Sequence, residues 1–301
     1  TPKPSSAASD VYKRQLEAQF NPRLSVPDFT RYDEPRAAIN SQARDTLDAV
    51  FDVAYGEHAR RRLDIYRAPP RADGRPAPAH LFFHGGYWRA LDKSAFAFVA
   101  AGLVEQGITA VIANYELCPG SNLDGVVDSA LAAFAWLHRQ GADHGIDPAR
   151  LSIGGHSAGA HLCAAILAQD WQTYAGFEQA PPMAGATLIS GVFDPRPAMY
   201  TSLNAQLQLT PEVAARNNME QRLPRLAGPV TLLVGGEEPH HWIDLTLRYG
   251  RLLQIEGYAP DIHVLKDYNH FNLLDQYLAP ESVISRAVKS VSYTHLTLPT
   301  K

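Results

Sequence analysis

The chain has 301 residues, 46% of them hydrophobic and 19% charged, with a formal net charge of -4. That is apolar material for one sizeable core, and neither the net charge nor the scattered arginines form the basic stripe that a nucleic-acid partner requires. No apolar run reaches the roughly 20 residues of a membrane-spanning helix, and no charged-then-apolar leader opens the chain. The two cysteines, Cys118 and Cys163, are too few for a disulfide framework and lack zinc-site spacing. A cytoplasmic protein with neither nucleic-acid nor membrane partners is expected.

Residues 1–15 and 291–301 lack apolar periodicity and resemble peptides translated from adapter DNA at the ends of metagenomic contigs, so they are set aside as non-native or disordered tails. One domain is expected over residues 16–290. From Leu16 to about Leu47 the chain is polar and broken by Pro22, Pro27 and Pro35, which predicts short helices wrapping the domain. Ala49 to Ala54 and Arg61 to Tyr66 read as strands joined at Gly56, followed by a Pro-rich loop from Pro69 to Pro78. Short apolar runs come next: His80 to Phe83, Ala110 to Ala113, Leu151 to Ile153, Ala186 to Ile189, Val230 to Val234 and Ile262 to Leu265. Between them Ser94 to Gln106, Asp124 to Gln140 and Ala158 to Gln169 repeat apolar residues every three or four positions, and a last helix starts near Ser282. Strand and helix in alternation predict a mostly parallel central sheet with helices on both faces.

The strand Leu151 to Ile153 runs into Gly155-His156-Ser157-Ala158-Gly159. Three fixed positions recur by chance in roughly one chain in ten of this length, so the strand-before, helix-after placement carries the argument. A serine on that turn, with glycines letting backbone pass close on either side, is an exposed nucleophile at a helix N-terminus. Upstream, His80 to Phe83 ends in His84-Gly85-Gly86-Tyr87-Trp88. A glycine pair there lets the amides of Gly85 and Gly86, with that of Ala158, converge on a developing oxyanion. Tyr87 and Trp88 are read as walls of the substrate pocket, within an aromatic set including Tyr115, Phe193 and Trp242 that suits an aryl leaving group.

The base belongs on the loop after the last strand, where His270 follows Asp267-Tyr268-Asn269. The acid that orients it belongs on the loop after Val230 to Val234. Glu238 is preferred there, with Glu237 the runner-up and Asp194 and Asp244 behind it. Adjacent His240 and His241 match no metal signature, and no metal is expected.

Together these motifs resemble the kynurenine formamidase (arylformamidase) branch of the α/β-hydrolases. The resemblance rests on LEAQFNPR from Leu16, HGGYW at His84 to Trp88, NYELCP from Asn114, GGHSAGAHL from Gly154 and NHF at Asn269 to Phe271. It implies the α/β-hydrolase fold, a catalytic triad of Ser157, Glu238 and His270, no cofactor, and a small acyl substrate, N-formylkynurenine first. A homodimer is a candidate assembly. The family's acid loop carries a serine and then a proline after the carboxylate, whereas Pro239 follows Glu238 directly. Hormone-sensitive-lipase-like esterases carry a third glycine where Tyr87 stands and an aspartate where His156 stands. Feruloyl and acetyl esterases share the HGGxW loop and form the rival enzymatic reading. A ligand-binding homologue without turnover is the rival from another class.

Overall fold

The computed structural model describes residues 6–293. Eight strands form one sheet: β1 (Ala49–Ala54), β2 (Arg62–Tyr66), β3 (Ala79–Phe83), β4 (Thr109–Ala113), β5 (Leu151–His156), β6 (Gly185–Ile189), β7 (Val230–Gly235) and β8 (Asp261–Leu265). Their order is β1-β2-β4-β3-β5-β6-β7-β8. The β1–β2 and β2–β4 pairings are antiparallel, and every pairing from β4 onward is parallel.

Side chains alternate across each strand, and here both faces are buried. Leu81, Phe83, Ile153, Leu188 and Leu232 join one core with α4 (Leu123–Gln140), α5 (Ala158–Ala168) and α6 (His240–Ile255). Phe82, Ile112, Ile189 and Leu233 join the other with α3 (Ala97–Glu105) and α7 (Val283–Tyr293). Each such side chain contributes about 1.5–3 kcal/mol on leaving water, which is why the central strands read as continuous apolar runs.

Three local readings change. The lead-in holds two long helices, α1 (Ser6–Phe20) and α2 (Asp33–Thr46), separated by single turns at Pro22–Ser25 and Phe29–Tyr32. Pro35 sits in the first turn of α2, where a missing N–H is tolerated. The helix expected over Ser94 to Gln106 is a 3-10 turn, Lys93–Phe96, leading into α3. Helix α6 was missed: Trp242, Leu245, Tyr249 and Leu253 recur at helical spacing and are buried, but the chemistry of the preceding loop had claimed its first residues.

The terminal tails are partly absorbed into the fold. Residues 11–15 continue α1 toward Phe20. Val291 is buried, Ser292 Oγ lies 2.8 Å from Ser152 Oγ, and Tyr293 Oη donates to the Gly107 carbonyl at 3.1 Å. Residues 1–5 and 294–301 lie outside the described residues. Among the described residues no helix is long and apolar enough to cross a membrane.

Candidate active site

Strand β5 ends at His156, and α5 begins at Ala158 with Ser157 between them at φ 57°, ψ -117°. That strained backbone is held from both sides. The Ser157 amide donates to the Ile189 carbonyl at 2.8 Å, and the glycines of the motif let neighbours close in. A Cβ at Gly155 would stand 2.4 Å from the Gly159 carbonyl, and one at Gly159 would stand 1.9 Å from the Phe83 carbonyl oxygen. The spacing of the motif is thus a steric requirement for driving α5 against the end of β3.

His270 and Glu238 are both buried, and His270 Nδ1 donates to Glu238 Oε2 at 2.6 Å. The other carboxylate oxygen accepts from Ser190 Oγ at 2.5 Å and from the Gly235 amide at 2.8 Å. Of the four carboxylates weighed from the sequence, Glu238 is the one in contact with His270. Glu237 is exposed, Asp194 pairs with Arg196 at 2.8 Å, and Asp244 pairs with Arg248 at 2.6 Å. The loop without the extra serine therefore still delivers a carboxylate, and Ser190 from the end of β6 supplies a hydroxyl to it.

The loop after β3 is fastened from behind. Tyr115 is fully buried and its hydroxyl donates to the His84 carbonyl at 2.8 Å and lies 3.1 Å from the Gly85 carbonyl, which also accepts from His84 Nδ1 at 2.7 Å. In a trans peptide the N–H points opposite to the C=O. Anchoring the carbonyls of His84 and Gly85 on the Tyr115 side therefore turns the amides of Gly85 and Gly86 the other way. Gly85 approaches Ser157 so closely that a Cβ would stand 3.2 Å from that of the serine. Burial holds the pKa of His84 down to about 4, so it fastens the loop as a neutral ring.

A cavity of about 580 Å³ opens beside these groups, lined by Gly85, Gly86, Tyr87, His156, Ser157 and His270. Tyr87 is on its wall, but Trp88 is not. Trp88 is fully buried with its ring 5.0 Å from that of His161, so its role is packing. Phe193 stacks on Tyr249 at 4.2 Å, and Trp242 packs 4.4 Å from His270. The aromatic wall comes instead from Phe29, Phe96, Phe98 and Phe271, with Phe29 and Phe271 stacked at 5.0 Å. These were missed because Phe29 lies in the lead-in, more than a hundred residues from the serine, and only folding brings it over the cavity.

His156 was also unassigned from sequence. Its ring lies 4.5 Å from that of His270, and burial, reinforced by the His270 charge, holds its pKa well below the usual histidine value. It therefore stays neutral beside the His270 ring. His240 and His241 sit in the first turn of α6, both exposed, with His241 stacked on Phe20 at 5.2 Å. Among the described residues no group of three or more His, Cys, Asp or Glu converges as a metal site.

Comparison with known proteins agrees with this architecture. Residues 80–226 match the model of an α/β-hydrolase-fold family. The chain is 30% identical to kynurenine formamidase of Salmo salar, over 89% of this chain and 92% of the relative, and 28% identical to that of Danio rerio, over 91% and 94%. The chain belongs to the kynurenine formamidase-like α/β-hydrolases. A solved structure from a Silicibacter species superposes on this hydrolase with a TM-score of 0.74 at 26% identity, covering 86% of this chain and 93% of that one. The LEAQFNPR segment, conspicuous in the sequence without an evident task, supplies Asn21, Pro22 and Arg23 to the cavity wall.

Proposed function

We propose that this hydrolase removes the formyl group from an aryl formamide of the N-formylkynurenine type through a covalent intermediate on Ser157. The observation that carries the reading is the buried Glu238–His270 contact at 2.6 Å beside the cavity that Ser157 lines, in a chain whose kynurenine formamidase relatives match it nearly end to end.

His270, oriented by Glu238, takes the hydroxyl proton of Ser157 as its Oγ bonds to the formyl carbon. The carbonyl oxygen becomes an oxyanion, received by the amides of Gly85, Gly86 and Ala158. Ala158 opens α5, so its amide has no acceptor within that helix. The protonated His270 then gives its proton to the aryl nitrogen, the C–N bond breaks, and the arylamine leaves a formyl ester on Ser157. Water, deprotonated by His270, attacks that ester. The returning proton restores the serine and formate departs. Neutral His156 adds no positive charge against His270 when it is protonated.

The test is turnover of N-formylkynurenine, p-nitrophenyl acetate and a feruloyl ester by wild type, with Ser157→Ala as the blank, together with fluorophosphonate labelling of both. Preference for the formyl amide with labelling confined to wild type supports the proposal. Ester turnover alone makes the protein a carboxylesterase with the same mechanism, and equal labelling of both proteins refutes Ser157 as the nucleophile.

A further inference from the structure

The loop that carries His270 follows a strand that gives it little support. Strand β8 is an edge of the sheet, paired with β7 on one side, and of its five residues only Leu265 is buried. Before the base, the loop is tied to the acid loop, where the Glu237 amide donates to the Tyr268 carbonyl at 3.0 Å. Around the base, Asn269 closes a local turn by accepting from the amides of Phe271 at 2.9 Å and Asn272 at 3.1 Å. Such a turn fixes the shape of the loop, whereas its placement over the cavity needs contacts from outside. Those contacts come from the lead-in, 235 residues or more away along the chain.

Arg36, in the first turns of α2, is the hub. Its Nη2 donates to the Phe271 carbonyl at 2.7 Å, and Nε and Nη2 donate to Asp275 Oδ1 at 2.8 and 2.6 Å. Its guanidinium lies over the ring of Phe98, 4.8 Å from the centroid, at the start of α3. One turn along α2, Asn40 accepts from the Phe98 amide at 2.7 Å and donates to the Ala95 carbonyl at 3.0 Å. Phe98 is buried in the core, so the guanidinium is braced against a fixed element. One turn before Arg36, Tyr32 Oη accepts from Asn269 Nδ2 at 3.1 Å. The lead-in thus grips Asn269 and Phe271, the residues on either side of the base. The fork of a guanidinium holds two acceptors in one plane, and with Asp275 as its counterion the Arg36 charge is already neutralised within the protein.

We infer that Arg36 is a positioning residue for the reaction: by joining the Phe271 carbonyl, Asp275 and the Phe98 ring, it sets where the His270 ring stands relative to Ser157. The inference rests on His270 acting as the base for Ser157. Proton transfer between the two side chains works only over hydrogen-bond distance, and a misplacement of about 1 Å costs about 100-fold in rate. The Glu238 bond holds the ring at Nδ1 and leaves it free to swing about that point. The peptide that follows His270 is a second point of attachment, and Arg36 fixes it. The segment that walls the cavity with Phe29 and Arg36 therefore also holds the base in register with the nucleophile.

The experiment uses two reactions that need the base and carry no charge for Arg36 to bind: labelling by a small fluorophosphonate and turnover of p-nitrophenyl acetate. Both are measured on the full chain per folded enzyme, taken from the amplitude of the unfolding transition, for wild type, Arg36→Gln, Arg36→Lys and Tyr32→Phe. Arg36→Gln is expected to lower the labelling rate and kcat by about 10- to 100-fold, with KM changed by less than about threefold. Arg36→Lys, whose ammonium lacks the fork, and Tyr32→Phe, which loses one acceptor, are expected to lose less. A merely structural Arg36 would lower Tm and leave labelling and kcat per folded enzyme within twofold of wild type. That result, or a loss confined to KM, overturns the proposal. If wild type takes no label and turns over no ester, the serine mechanism falls. The 1H–15N correlations of the His270 ring in wild type and Arg36→Gln then decide the placement separately: shifted ring signals sustain it, and unchanged ones overturn it.

Discussion

Replacing Tyr115 by Phe removes one oxygen and keeps the ring, which stacks on His84 at 4.5 Å. What is lost is the hydroxyl donated to the His84 carbonyl at 2.8 Å, with its weaker approach to Gly85 at 3.1 Å. Leaving a buried carbonyl without its donor costs about 1–3 kcal/mol, and at about 2–4 °C per kcal/mol for a protein of this size class Tm should fall by several degrees. The Gly85 carbonyl keeps His84 Nδ1 at 2.7 Å, so the loop loosens at one peptide plane rather than two. Losing a whole oxyanion donor costs about 10²–10³ in rate, and a donor that is only misaligned should cost less. The expected result is a fall in kcat of about 10- to 100-fold with KM changed by less than about threefold, because the amides matter most when charge develops on the substrate oxygen. The affinity of a trifluoromethyl ketone, which forms a charged tetrahedral adduct, should fall in parallel with kcat. A purely structural role for Tyr115 would lower Tm and leave kcat per folded enzyme, and the ketone affinity, within twofold of wild type. That outcome would refute the peptide-plane argument.

Further expectations concern the acid, the buried charge cluster and pH. Glu238→Gln should lower kcat by about 10³–10⁴, the cost of losing the orienting carboxylate in such a triad, while Glu237→Gln, exposed and away from His270, should stay within twofold; similar losses in both would remove Glu238 from its assigned role. Asp64 is fully buried between Arg44 at 2.9 Å and Lys93 at 2.7 Å and accepts from the Asp52 amide at 2.9 Å. Asp64→Ala strands these partners and should cost about 3–5 kcal/mol, measurable by denaturant unfolding; a loss under 1 kcal/mol would contradict the assignment. Burial holds His80 down to about 3 and His84 and His161 down to about 4. These rings stay neutral in the folded chain while the unfolded chain protonates them below about 6.5. Their contribution is fully present above that pH and drains away as pH falls toward about 4, by roughly 1 kcal/mol per histidine per unit. Tm should therefore drop steeply between pH 6.5 and 4.5, and a flat profile there would show that the rings are not kept neutral.

The central strands, the serine elbow, the glycine loop and the His270 loop were legible in the sequence because each is a local pattern with a local cause. Buried strands need unbroken apolar runs, and the elbow needs Gly155 and Gly159 where any Cβ would collide with backbone. Glu238 could be ranked but not chosen, because its partnership with His270 spans 32 residues, and nothing local separates it from Glu237. The cavity wall was beyond reach for the same reason. Phe29, Arg23 and Phe271 meet only when α1 and the turns after it fold over the sheet, while Trp88, whose type and position fitted a pocket wall, packs inward against His161. Identity and spacing determined which chemistry the chain carries. Only the packing of distant segments decided which side chains face the substrate, because contacts between elements depend on how whole faces pair rather than on neighbours along the chain.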